Sequence, residues 1–206
     1  MLKAIFPKKC ITCNKQTNKY ICFSCIQQIK PKYQTEKNIP PFKKGIYFFN
    51  YNSPTIKKLL NAIKKDNHEK LSLWLSAELS KTIFSLKYDA IIPIPLHKKR
   101  MKKRSFNQVS LIFHKLIEKN NQLFLPILLR KKNTPPLYNQ NSIQRKIILK
   151  NSFKINPVFD LQWLKNKNIA IIDDIISTKS TSTEAYNTLI PYKISSCDII
   201  SFARPI

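Results

Sequence analysis

Residues 168 to 181 constrain this chain more tightly than any other stretch: Asn-Ile-Ala-Ile-Ile-Asp-Asp-Ile-Ile-Ser-Thr-Lys-Ser-Thr. The apolar run from Ile169 to Ile172 reads as a strand buried on both faces, the habit of a parallel sheet. Two adjacent carboxylates, Asp173 and Asp174, end it, and hydroxyls follow at Ser177, Thr178, Ser180 and Thr181. A helical pattern then runs through Glu184, Ala185, Tyr186 and Leu189. In open α/β sheets, ligands bind beyond the carboxyl ends of strands. A hydroxyl-rich turn entering a helix offers a phosphate both unpaired N–H groups and the positive end of the helix dipole. Carboxylates beside it accept hydrogen bonds from sugar hydroxyls, so the pattern suits a phosphorylated ribose. The plain alternative is a strand that ends in solvated turn residues.

The rest of the chain alternates in the same way. Ile46 to Tyr51 reads as a strand, and Ser53 is placed to cap a helix with Pro54 at its first position. That helix carries Ile56, Leu59, Leu60 and Ile63 at helical spacing. A second amphipathic helix is expected over 69 to 86, with Leu71, Leu75 and Leu79 on one face. Then come a short buried strand at 90 to 94, a helix at 106 to 119, and short strands at 123 to 129 and 153 to 155. The last elements are the strand at 169 to 172, a helix at 181 to 190 and a strand at 194 to 202. Such alternation argues for an α/β fold with a mainly parallel sheet flanked by helices, over residues 45 to 206. The polar stretch 31 to 44, with Pro40-Pro41, has the composition of a linker.

Residues 1 to 30 form a separate cysteine-bearing module. Cys10, Cys13, Cys22 and Cys25 fall as C-x2-C-x8-C-x2-C. Each C-x2-C turn supplies two thiolates to one side of an ion, and four soft ligands suit a structural zinc. An iron-bearing knuckle, or a module that has lost its metal, is the other reading. So small a module buries too little to fold unaided, so the metal would supply its folding energy. Cys197 lies in an apolar segment and reads as a core residue.

At 206 residues and 43% apolar, the chain is long enough for one ordinary domain with a core plus a small appendage. No stretch approaches the roughly 18 apolar residues of a membrane span, and the first residues lack a secretory apolar region. A cytoplasmic protein is the expectation. The net charge of +26 points to a polyanionic partner such as single-stranded nucleic acid. The cations are 32 Lys and only 5 Arg, however, in a chain also rich in Ile and Asn. An A/T-biased genome would supply much of that charge without selection for binding. Tyr33, Phe42 and Tyr47 lie among lysines where they could stack on bases, although scattered surface aromatics are common. Trp74 and Trp163 read as packing residues. Glycine is scarcer still: the single Gly45 stands where average usage would give roughly fourteen.

The 168 to 181 segment resembles the phosphoribosyl-pyrophosphate (PRPP) signature of type I phosphoribosyltransferases, with Lys179 in place of its glycine. Further segments narrow the resemblance to the ComF family, also called competence-protein F or GntX-like. They are Ile92-Pro93-Ile94-Pro95-Leu96, Arg104-Ser105-Phe106-Asn107-Gln108, Gln144-Arg145, Lys150 to Phe153, and the cysteine pairs. Ser105 replaces the family's glycine. The resemblance runs from Cys10 to Pro205 in family order.

It implies a zinc knuckle on a type I phosphoribosyltransferase-like domain that binds PRPP with Mg²⁺, in a family linked to DNA uptake and the use of external DNA. Asp173 and Asp174 are expected to hold the ribose hydroxyls, and Ser177, Thr178, Lys179, Ser180 and Thr181 the 5′-phosphate. The pyrophosphate side is expected at Leu96, His97, Lys98, Arg100, Lys103 and Arg104; the alternative is a solvated basic loop. His97 by itself reads as a surface residue, while Asn107 and Gln108 would pin this loop. Arg145, in a hood between Leu137 and Phe153, is the candidate substrate contact. For Lys179 two readings stay open: its ammonium pairs with the phosphate, or the loop no longer closes on one. The second functional reading is a non-catalytic accessory protein that engages single-stranded DNA, with a degenerate PRPP site.

Overall fold

A computed structural model describes residues 9–29, 33–65, 68–82, 85–135 and 140–205. Residues 1–8 and 30 of the cysteine module, residues 31 and 32 of the expected linker, residues 83 and 84 of the expected second helix, and Leu137 lie outside them. The helices are α1 (Phe23–Gln27), α2 (Pro54–Lys65), α3 (Glu69–Ser80), α4 (Lys98–Arg104), α5 (Gln108–Lys119), α6 (Ser142–Leu149) and α7 (Ser180–Leu189). The strands are β1 (Gln34–Ile39), β2 (Phe42–Asn50), β3 (Ala90–Pro93), β4 (Leu128–Arg130), β5 (Phe153–Ile155), β6 (Asn168–Ile175) and β7 (Ser196–Arg204).

Five strands form one sheet in the order β1-β2-β7-β6-β3, parallel except at the β1–β2 edge. The run 169 to 172 explains why β6 lies inside this sheet. Ala170 and Ile172 join a core with Ile56 and Leu60 of α2, Leu71 and Leu75 of α3, and Ile112 and Leu116 of α5. Ile169 and Ile171 point the other way, into a core with Ile92, Leu164 and Ala185 and Leu189 of α7. Helices therefore cover both faces, and the period of two along the strand decides which residue meets which layer. Among the described residues, no helix is long and apolar enough to cross a membrane.

Several elements depart from expectation. From Gln34 onward, the stretch expected as a linker is the β1–β2 hairpin, turning at Pro40-Pro41. Its polar composition fits an edge strand with little to bury, and five of the six β1 residues are exposed or half-buried. α3 ends at Ser80 rather than near 86. The strand expected over 123 to 129 is β4, displaced to 128–130, preceded by a single parallel bridge from Phe124 to Ile91. The basic segment after β3, expected as a loop, is the helix α4. Its run of Lys and Arg has good helix propensity but no apolar period to reveal it.

Backbone handedness replaces glycine in an unusual way. Among the described residues, Asn14, Asn38, Ser105, Asn121, Asn151, Asn166, Lys179 and Lys193 have positive φ. Asn tolerates the left-handed region better than most side chains because its amide bonds locally, and five of these eight are Asn. Gly45 serves a different need, since a Cβ there would come within 2.5 Å of Ile39 Cδ1 across the hairpin.

Candidate functional site

Parallel pairing brings the carboxyl ends of β3 and β6 side by side, with Pro93 opposite Ile172 and Ile94 N–H donating to the Ile172 carbonyl at 2.9 Å. Beyond them opens a cleft of about 660 Å³. β6 runs on through both carboxylates, so Asp173 and Asp174 are strand residues, 8% and 7% exposed, rather than solvated turn residues.

Their environments drive the two carboxyls apart. Burial pushes Asp173 up to about 8, and the neighbouring Asp174 charge adds to the effect. Burial pushes Asp174 up as well, but the Lys64 ammonium and the Gln108 amide outweigh it and hold this carboxyl below its usual range. Lys64 Nζ lies 2.8 Å from Asp174 Oδ2, and Gln108 Nε2 donates to the same oxygen at 2.8 Å. Asp173 Oδ1 accepts from the Asp174 N–H at 2.8 Å. One charged and one neutral carboxyl result at neutral pH.

The chain then turns through Ser177 and Thr178 to Lys179, whose φ of 60° and ψ of −3° are left-handed, and enters α7 at Ser180. Thr178 Oγ1 and Ser180 Oγ lie 2.9 Å apart across the turn. Arg145, from α6, donates through Nη1 to Ser177 Oγ at 2.7 Å and to Thr178 Oγ1 at 3.3 Å. The Lys179 ammonium contacts the Pro40 carbonyl at 3.4 Å, so it rests on the β1–β2 hairpin. α6 is held in place by a capping box between Asn141 and Gln144.

α4 divides its cations between two faces. Arg100 and Arg104 line the cleft, as does Leu96 ahead of the helix, whereas Lys98, Lys99, Lys102 and Lys103 are exposed and do not. His97 caps the helix, its Nδ1 accepting from the Lys99 N–H at 3.2 Å. Ser105 closes the helix at φ 65°, in the left-handed conformation. Asn107 caps α5 and donates to the Ile94 carbonyl at 3.0 Å. Arg104 donates to the Lys64 carbonyl at 3.0 Å and to Gln108 Oε1, tying α4 to α2 and α5.

Asp173, Asp174, residues 177 to 181, Leu96, Arg100, Arg104 and Arg145 thus share one cleft, whereas His97, Lys98 and Lys103 do not line it. Lys64 and Arg130 line it too, though nothing local in the sequence marks them. The signal that could have found Arg130 is rarity. Four of the chain's five arginines line the cleft, against two of its 32 lysines. Arginine is the cation suited to bidentate recognition of phosphate and carboxylate.

At the other end of α2, the four cysteine Sγ atoms all lie within 4.8 Å of one another. A tetrahedron with Zn–S bonds near 2.3 Å needs sulfurs about 3.8 Å apart, and Cys13 and Cys22 are at 3.6 Å. The Cys22 N–H points at Cys10 Sγ, at 3.3 Å. The donor set and its spacing fit a structural zinc.

No family model matches the chain. Competence protein F of Haemophilus influenzae is 28% identical over 137 residues, which are 64% of this chain and 58% of that protein. The match thus spans less than two thirds of the relative's length. Among solved structures, the chain is similar to adenine phosphoribosyltransferase from Thermoanaerobacter pseudethanolicus (15% identity, 87% of this chain, 99% of that one, TM-score 0.37). It is similar also to adenine phosphoribosyltransferase from Saccharomyces cerevisiae (15% identity, 90% of each chain, TM-score 0.33). With its four-cysteine cluster and mainly parallel α/β sheet, the chain is distantly similar in sequence to Competence protein F.

Proposed function

We propose that this protein binds PRPP in the cleft and transfers its phosphoribosyl group. The observation that carries the reading is the junction of β6 with α7. A buried carboxyl pair leads within three residues to a hydroxyl-lined turn at a helix N-terminus, in the cleft where four of five arginines gather. In this reading Asp173 and Asp174 orient the ribose hydroxyls. Ser177 to Thr181, with the backbone N–H groups of the turn, hold the 5′-phosphate. Arg100, and Leu96 through its backbone, face the pyrophosphate.

Transfer at C1 of ribose builds positive charge on the sugar and negative charge on the leaving pyrophosphate. The protein's task is then orientation and charge stabilisation, with no nucleophile of its own. Mg²⁺ would neutralise pyrophosphate charge as it departs. It would be carried in with PRPP, since Asp174 Oδ2 is already engaged by the Lys64 ammonium. Zinc held by Cys10, Cys13, Cys22 and Cys25 would be structural, and a role in the uptake or use of external DNA is what the ComF resemblance implies. Calorimetric titration of the zinc-replete protein with PRPP and Mg²⁺ tests the reading. Saturable binding is expected, lost when Asp173 and Asp174 are both changed to Asn; equal affinity in that variant rejects it.

A second reading rests on the outer face of α4. Lys98, Lys99, Lys102 and Lys103 form an exposed cationic ridge at the rim of the cleft, suited to the backbone of single-stranded DNA without base recognition. Binding of that kind would weaken steeply with added salt. A flat salt dependence would dismiss it.

A further inference from the structure

The ribose-phosphate reading leaves one half-buried cation without a task. Arg130 comes neither from the phosphate turn nor from α4, but from the end of β4 in the two-stranded β4–β5 sheet. Its guanidinium lies over the Phe153 ring at 5.5 Å and donates to Thr134 Oγ1 at 2.6 Å. Arg100 donates to the carbonyl of the same Thr134 at 2.5 Å. Two like charges thus converge on one residue. Burial lowers the proton affinity of Arg130, Arg100 lowers it further, and the Asp173 carboxyl offsets only part of this.

Arg130 Nε is buried and, among the described residues, has no hydrogen-bond partner. Among the described residues, neither Arg100 nor Arg130 has a carboxylate within salt-bridge distance. A half-buried guanidinium that no carboxylate contacts directly is costly, and the cost falls when an anion arrives. A neutral base edge would leave that charge unanswered.

We infer that the second substrate, the acceptor that meets C1 of the ribose, carries an acid group, carboxylate or phosphate, which docks on the Arg130 guanidinium. The inference rests on the phosphoribosyl-transfer reading for the word acceptor, but the anion subsite itself is independent of it. Arg130 acts here as a specificity residue. Its planar fork suits a two-oxygen acid, and the Phe153 ring lies beneath its guanidinium carbon.

The test titrates the full chain, with and without saturating PRPP and Mg²⁺, against nicotinate and nicotinamide, two probes of nearly equal shape of which only one is an anion. Phenyl phosphate serves as a third probe. Nicotinate or phenyl phosphate should bind at least about tenfold more tightly than nicotinamide, about 1.4 kcal/mol. The tighter of the two identifies the acid as carboxylate or phosphate. Arg130→Gln should erase that preference while leaving PRPP affinity within about threefold, and Arg130→Lys should restore only part of it. Equal binding of all three probes, failure of every anion to bind, or a preference that survives in Arg130→Gln overturns the inference. So does a tenfold loss of PRPP affinity in Arg130→Gln, because Arg130 would then serve pyrophosphate. Loss of PRPP binding in the wild-type protein would reject the ribose-phosphate reading alone, and the anion preference measured without PRPP would still decide the subsite.

Discussion

Asp173 should be a site where the unliganded protein gives up stability, and replacing it should return that stability in a pH-dependent way. Its carboxyl is raised from an ordinary value of 3.8 to about 8 by burial and by the Asp174 charge. Between those limits the folded state keeps a proton that the unfolded chain has lost, so folding stability falls as pH rises from about 4 to 8 and levels off above. Each pH unit in that window is worth about 1.4 kcal/mol, which makes the penalty on the order of 2 kcal/mol at pH 5 and on the order of 5 kcal/mol at pH 8. Asp174 works in the opposite sense: its depressed carboxyl contributes stability that is lost in acid. Asp173→Asn removes the titration but keeps an Oδ1 acceptor for the Asp174 N–H. The variant should therefore be more stable than wild type, by a margin that widens by about 3 kcal/mol between pH 5 and pH 8. Urea denaturation of both proteins at the two pH values, zinc-replete and without PRPP, reads this directly. Parallel pH dependence in the two proteins would refute the reasoning, because Asp173 would then titrate alike in the folded and unfolded states.

Two further outcomes are expected. Metal analysis should find one zinc per chain. Chelation, or Cys13→Ser with Cys22→Ser, should lower the thermal midpoint by several degrees, because Ile21, Cys25 and Ile29 belong to the same core as α2; an unchanged midpoint would contradict a structural metal. Lys179→Gly should raise stability by roughly 0.5–1 kcal/mol, as relief of left-handed strain exceeds the added freedom of the unfolded chain. PRPP affinity should change less than about threefold, since the ammonium rests on Pro40; a larger loss, measured by calorimetry, would assign that ammonium to the phosphate.

The parts of the fold that sequence reveals are those with an apolar period. β6 and β3 announce themselves because strands buried on both faces need unbroken Ile and Ala. α2 and α5 do so through leucines and isoleucines spaced to cover one face. β1 has five exposed or half-buried positions out of six, so its Gln-Thr-Glu-Lys-Asn carries no such period and reads as a linker. The site divides in the same way. Asp173, Asp174 and residues 177 to 181 are contiguous, and their chemistry is legible because the strand, turn and helix are local. Lys64 meets Asp174 from 110 positions away, and Arg130 reaches the cleft from the β4–β5 sheet. Such partners exist only through tertiary folding. The rarity of arginine, five against 32 lysines, is the available hint for Arg130.

α2 is fixed at both ends by its own lysines. Lys58 Nζ donates to the Thr12 carbonyl, between the first two cysteines, at 2.5 Å, and Lys64 holds Asp174. Six residues of helix separate them by about 9 Å along the axis. The helix is therefore a lever with one arm seated on the thiolate cluster and the other on the carboxyl pair. A change in the oxidation or occupancy of those thiols that tilts the first arm is carried mechanically to the second.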